Sequence, residues 1–91
     1  MLVNIQYANP EITIDAIEIS SVGNVQNNIG AGIRFVSYEI YMKSGLRIMP
    51  ALYSMADEEK KRAEHIEQMS KQHEALIHFW KLAKKEGIQQ V

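Results

Sequence analysis

The residues best suited to chemistry lie in one short run, Asn27-Asn28-Ile29-Gly30-Ala31-Gly32. A glycine-rich turn that feeds a helix exposes consecutive backbone N–H groups, and the helix dipole adds partial positive charge, so such a run can cradle a phosphate or pyrophosphate. Glycine matters there because a Cβ would block close approach. No GKS or GKT follows, which removes the P-loop, and the three-glycine dinucleotide fingerprint is incomplete. A plain strand-to-helix turn accounts for the same residues. His65, His73 and His78 lie eight and five residues apart, so no pair has the i,i+4 spacing of a helical zinc site, and scattered helix histidines with no metal are expected. His73 could instead act as a polar register device or a pH-sensitive contact. Phe79 and Trp80 read first as core packing and second as a cofactor wall or interface anchor.

Several elements must position that run. Leu2, Val3, Ile5 and Tyr7 form a β-prone stretch that Asn9-Pro10 interrupts, which predicts a hairpin turn. Residues 11–20 are rich in β-branched side chains and predict one strand. Each of its faces is apolar along only part of its length, as suits a strand buried on both sides. Beyond the loop, Ile33, Val36, Ile40 and Tyr41 recur at helical spacing and predict a helix to about Ser44, with Gly45 placed to end it in the left-handed conformation. Residues 46–53 then predict a second strand, in which Pro50 needs an edge or bulge.

From Ser54 to Glu86 neither Gly nor Pro occurs, which predicts a long helix opened by Ser54 and Asp57 as a capping box. Unbroken, it would run about 48 Å at 1.5 Å per residue, so it must bend, break or protrude. Ile66, Met69, His73, Leu76, Trp80 and Ala83 alternate spacings of three and four, a heptad-like seam. Asp57 with Lys61 and Glu58 with Arg62 are i,i+4 pairs that mark a solvated face.

Composition bounds what such a chain can be. It has 91 residues, 46% hydrophobic and 23% charged, with no Cys and a formal charge of −1, which fits one small folded domain and excludes disulfides and thiolate chemistry. Near-neutral charge argues against general nucleic-acid binding. No window approaches the about 20 apolar residues of a membrane span, and the first residues lack a basic region, so a cytoplasmic protein is expected. The charge is uneven: residues 1–54 hold seven charged side chains and residues 55–91 hold fourteen. We therefore expect a single domain over residues 1–91, with the sheet and loop in 1–54 and a helical segment in 55–91.

Val22, Asn27, Gly30 and Gly32 fall at the spacings of the acetyl-CoA motif of the GCN5-related N-acetyltransferases, and the chain resembles that family over residues 11–53. Leu76-Ile77-His78-Phe79-Trp80-Lys81-Leu82 resembles the family's late helix more loosely. The chain departs from the family in four ways, one of them a charged helical stretch, residues 55–72, inserted before the late helix. Asn27 stands where Gln or Arg is usual, Trp80 stands where many members have an acidic Tyr, and the first strand and two helices are lacking. The resemblance implies that the backbone N–H groups of Asn28, Ile29, Gly30, Ala31 and Gly32 hold the CoA pyrophosphate. It also implies that Ile17, Glu18, Ile19 and Ser20 pair with the pantetheine arm, with Phe79 and Trp80 against the cofactor. Glu18 is then the candidate general base that deprotonates an amine, and Tyr53 the candidate acid.

The expectation is an α/β (α+β) domain: a small mixed β-sheet, a glycine-loop crossover helix and a long C-terminal helix. The activity the resemblance implies is transfer of acetyl from acetyl-CoA to a primary amine, on a small molecule or a protein lysine, with a homo-oligomer completing the acceptor wall. Two alternatives stand beside it. One is a CoA-binding relative without turnover, and the other a small interaction protein that oligomerises through its C-terminal helix.

Overall fold

The computed structural model describes residues 1–89, with side chains through Glu86. Residues 90 and 91 of the expected helical segment lie outside the described residues. The described residues form eight short strands and then one long helix, an α+β arrangement: β1 (Leu2–Ile5), β2 (Ile12–Asp15), β3 (Ile19–Val22), β4 (Gln26–Gly30), β5 (Ile33–Ser37), β6 (Ile40–Met42), β7 (Arg47–Ile48), β8 (Ala51–Met55) and α1 (Glu59–Gln89). The strands make three small sheets, β1-β2, β3-β6-β7 and β4-β5-β8, and every pairing among the described residues is antiparallel. The expected mixed sheet is therefore corrected. Antiparallel neighbours need only tight turns, whereas a parallel pair would need a crossover of a dozen or more residues.

The expected hairpin at Asn9-Pro10 forms, with Val3 opposite Ile14 and Ile5 opposite Ile12. The single strand expected over residues 11–20 is instead cut by a 3-10 turn, Ala16–Glu18, because the Asp15 carboxylate accepts the Ile17 N–H at 3.3 Å. That turn explains the two half-apolar faces: Ile14 before it, Ala16 at its start and Ile19 after it are all buried. The same hydrogen bond, followed by the Met1 ammonium, lowers the Asp15 pKa.

The crossover helix expected over residues 33–44 is absent. Those residues form β5, β6 and the turn into β7. Tyr38, Ile40 and Met42 are buried while Glu39, Tyr41 and Lys43 between them are not, a period of two that β-branched and aromatic residues favour. Gly45 does take a left-handed conformation, at φ 93°, but in the β6–β7 turn, where its N–H donates to the Met42 carbonyl at 3.0 Å. The strand expected over residues 46–53 divides into β7 and β8 around Met49-Pro50. Pro50 has no N–H for a ladder, and its carbonyl accepts the Tyr38 N–H at 3.4 Å.

The long helix forms unbroken, and the molecule's longest dimension, 52 Å, accommodates its length of about 46 Å. Ser54 is not its cap but a buried residue of β8. The reach-back contact comes one residue later, where the Glu58 carboxylate accepts the Met55 N–H at 3.0 Å, a bond that lowers the Glu58 pKa. The exposed ion pairs differ by one turn position from expectation, joining Lys61 to Glu58 and Arg62 to Glu59. Glu59 also receives Arg34 of β5 at 2.9 Å, which ties the helix start to the sheet.

The seam read in the sequence is the helix's buried stripe. Met69, Leu76 and Ala83 are at most 3% exposed, and Ile66 and Trp80 pack beside them. The other half of the core comes from the strands, chiefly Ile5, Ile19, Val36, Tyr38 and Ile40. The seam thus packs against the protein's own sheets.

Candidate functional site

The glycine run that opened the sequence argument is a β-hairpin. Asn27 to Gly30 lie in β4, opposite Val36, Phe35, Arg34 and Ile33 in turn, and Ala31 and Gly32 make a two-residue loop with φ of 48° and 78°. Two consecutive positive φ values match the right-handed twist of the flanking strands, and this requirement explains Gly32. Neither Gly30 nor Gly32 has any heavy atom within 4 Å of where a Cβ would stand. No helix follows the loop, so no helix dipole acts there. Because β4 pairs on one side only, its N–H groups alternate between β5 and solvent rather than converging on one point.

The remaining residues named from the resemblance are dispersed. Glu18 is exposed at the end of the 3-10 turn, and its carbonyl accepts the Lys43 N–H at 2.7 Å. Ile17 and Ser20 are exposed, Ile19 is buried and Val22 is partly buried; Ile19 and Val22 pair with β6, as does Ser21 between them. Tyr53 is exposed on β8 with its ring 5.9 Å from that of Phe35. Trp80 packs against the core under the Lys84 ammonium, 3.7 Å from its ring centre. Phe79 lies on the helix face that borders β1. None of the three described cavities is lined by more than one of the hairpin, Glu18, Tyr53 and Phe79.

The structure instead brings β1 and α1 together around a groove of about 390 Å³, floored by Ile5 and Leu76 and bordered by Tyr7, Gln68, Lys71 and Phe79. Its geometry follows from β1's register. The Ala16 N–H donates to the Met1 carbonyl at 2.9 Å, and antiparallel bonding alternates, so Met1, Val3 and Ile5 face β2 with their main-chain groups. The N–H and C=O groups of Leu2, Asn4 and Gln6 consequently point the other way, and Asn4 and Gln6 line the groove. At Gln6 both are satisfied by one side chain. The Gln72 carboxamide accepts the Gln6 N–H at 2.9 Å and donates to the Gln6 carbonyl at 3.1 Å, as a neighbouring strand would. Gln72 also donates to the Tyr38 hydroxyl at 3.0 Å. Burial pushes the Tyr38 pKa up to about 12.

The edge therefore has a closed end at Gln6 and an open end at Leu2 and Asn4. Close by, His73 sits 2.8 Å from the Gly23 carbonyl and edge-on to Tyr38, so it is a core contact that fixes the β3–β4 link. Sequence reasoning missed Gln72 and the β1 edge. The available signal was weak: Gln68 and Gln72 repeat at i,i+4 beside the apolar seam, placing two amides along one flank of it.

Fold and groove together define a small α+β protein whose candidate site is a strand edge beside a helix. No family model matches the chain, and no curated protein or solved structure is detectably similar to it. No group of three metal-ligating side chains occurs among the described residues, and none of their helices is long and apolar enough to cross a membrane.

Proposed function

We propose that this protein is a non-catalytic interaction module that captures an extended polypeptide segment as an added strand on β1. The observation that carries this reading is the open β1 edge, where the outward main-chain groups of Asn4, next to those of Leu2 along the same edge, face a groove whose floor is apolar. Strand addition draws affinity from main-chain hydrogen bonds and specificity from pockets for alternate side chains. Both requirements have counterparts here. The Gln72 carboxamide already bonds Gln6 in the way a visiting strand would bond Asn4. Val3, Ala75 and Phe79, over the buried Ile5 and Leu76, offer an apolar seat to every second residue of the guest. The groove's one cation, Lys71, is paired with Glu67 at 3.1 Å, so charge complementarity favours an uncharged segment.

Acetyl transfer rested on a helix after the glycine run and on convergence of Glu18 and Tyr53 with it. With neither arrangement present among the described residues, the interaction reading has the stronger support.

The test is selection from a library of random linear peptides, followed by amide hydrogen exchange on the bound protein. Enriched peptides should alternate apolar and uncharged polar residues, and should protect the Leu2 and Asn4 amides. Asn4→Pro removes an outward N–H that no ladder bond uses, so it should abolish capture while leaving the fold intact. Capture insensitive to Asn4→Pro would defeat the proposal. So would a melting-temperature rise with acetyl-CoA that Gly30→Trp removes, since that would restore the acetyl-CoA site.

A further inference from the structure

A second cavity lies on the opposite side of the β4–β5–β8 sheet from its helix-facing residues, and its chemistry differs from that of the groove. Directly opposed residues of neighbouring strands share a face. Asn28, Phe35 and Tyr53 oppose one another in that order, so they form a row across all three strands. Val36 and Leu52 belong to the other face, where Val36 is buried. On the outer face Tyr53 is 58% exposed, which leaves an aromatic platform open to solvent. Beside it is a cavity of about 260 Å³, whose lining includes Asn24, Gln26, Asn28, Phe35, Glu39 and Met49.

Three features of this cavity point to one ligand class. First, the carboxamides of Asn24, Gln26 and Asn28 make no hydrogen bond to another described side chain or backbone group, so each presents an acceptor oxygen and a donor NH₂. Hydroxyl groups, which donate and accept, match that combination. Second, Phe35 in the lining, with Tyr53 beside it outside the cavity, presents ring surface with a negative face, which attracts the weakly positive C–H edge of a saturated ring. Third, no cation lines the cavity and its only charged group is Glu39. That carboxylate accepts the Tyr41 hydroxyl, a bond that raises the Tyr41 pKa, and an Arg47 N–H, and its charge leaves no site for a phosphate or another anion.

From this juxtaposition we propose that the cavity between β4 and the Glu39 link binds a neutral polyhydroxylated ring, that is, a sugar residue. The ring's C–H face rests on Phe35, and its hydroxyls bond the Asn24, Gln26 and Asn28 amides with Glu39 as an additional acceptor. The volume lies below the about 300 Å³ at which pockets for drug-sized ligands begin, so one ring is held and affinity is on the order of millimolar. This site is independent of the β1 groove and goes beyond the interaction reading.

The side-chain NH₂ resonances of Asn and Gln report on the proposal directly. The full chain, labelled with ¹⁵N, is titrated with the methyl glycosides of glucose, galactose and mannose and with N-acetylglucosamine. At least one sugar should shift the Asn24, Gln26 and Asn28 amide pairs saturably, and Phe35 should transfer magnetisation to that sugar's ring protons. Asn28→Leu, on an edge strand, should weaken binding at least tenfold with an unchanged melting transition, and Phe35→Leu should do the same where it folds. No saturable shift with any of the four sugars overturns the proposal. So does a response to adenosine confined to the aromatic signals, which would mark the platform as a base-stacking surface.

Discussion

Two edge strands, β1 and β4, face the same physical problem and meet it differently. An edge strand carries unpaired N–H and C=O groups that invite pairing with another chain. At β1 the fold leans α1 against the edge, satisfies one residue through Gln72, and leaves Leu2 and Asn4 open over an apolar floor. At β4 no helix covers the edge, and Gln26, Asn27 and Asn28 place polar amides along a strand that ends in a tight turn. Composition sets the difference: an edge beside apolar surface is suited to receive a strand, whereas an edge crowded with amides is suited to bind hydroxyl groups.

The comparison can be broken most severely at Leu76, which is both core and groove floor. Leu76→Ala should cost about 2–5 kcal/mol in denaturant unfolding and abolish peptide capture, without changing the β4 amide resonances of the protein that remains folded. Gln72→Leu is next. It leaves the Gln6 main chain and the Tyr38 hydroxyl without a partner, a loss of about 1–3 kcal/mol measured the same way. On the other edge, Gly32→Val forces a β-branched residue to positive φ and should cost about 1–2 kcal/mol, with exchange increasing first in the β4–β5 amides.

A pH effect bears on the β1 side alone. Burial raises the folded Tyr38 pKa to about 12, above its unfolded value, so the stability linked to it is complete below about pH 10 and is lost as pH climbs toward 12. Tyr38→Phe should flatten that alkaline loss in a urea titration. A loss of the same size in the variant would assign it to other groups.

Much of the fold was legible where one local pattern dominated. The helix was clear because thirty-three residues from Ser54 to Glu86 contain no Gly or Pro, and its buried stripe follows the three-and-four spacing from Ile66 to Ala83. The first hairpin followed from Asn9-Pro10 between β-prone runs. Residues 33–44 misled because they satisfy two periods at once. Ile33, Val36 and Ile40 fit a helix, while Tyr38, Ile40 and Met42 fit a strand, and only the partner strands β3, β4 and β8 favour the second. That misreading also shaped the expected site, because a glycine loop before a helix is an anion cradle and the same loop before a strand is a hairpin turn.

Elements whose stability is largely local follow from the order of residues alone. These are the unbroken helix, its apolar seam, and the glycine positions that permit positive φ. Tertiary structure alone decided what those elements face. The seam could have met a second helix and instead seals three small sheets, because burying β-strand residues such as Ile5, Ile19 and Val36 requires a long apolar stripe and this chain has one. The sites likewise exist only in three dimensions. Gln6 and Gln72 lie sixty-six residues apart, and Asn28, Phe35 and Tyr53 meet only through strand register, since contacts that distant along the chain are set by packing and not by spacing.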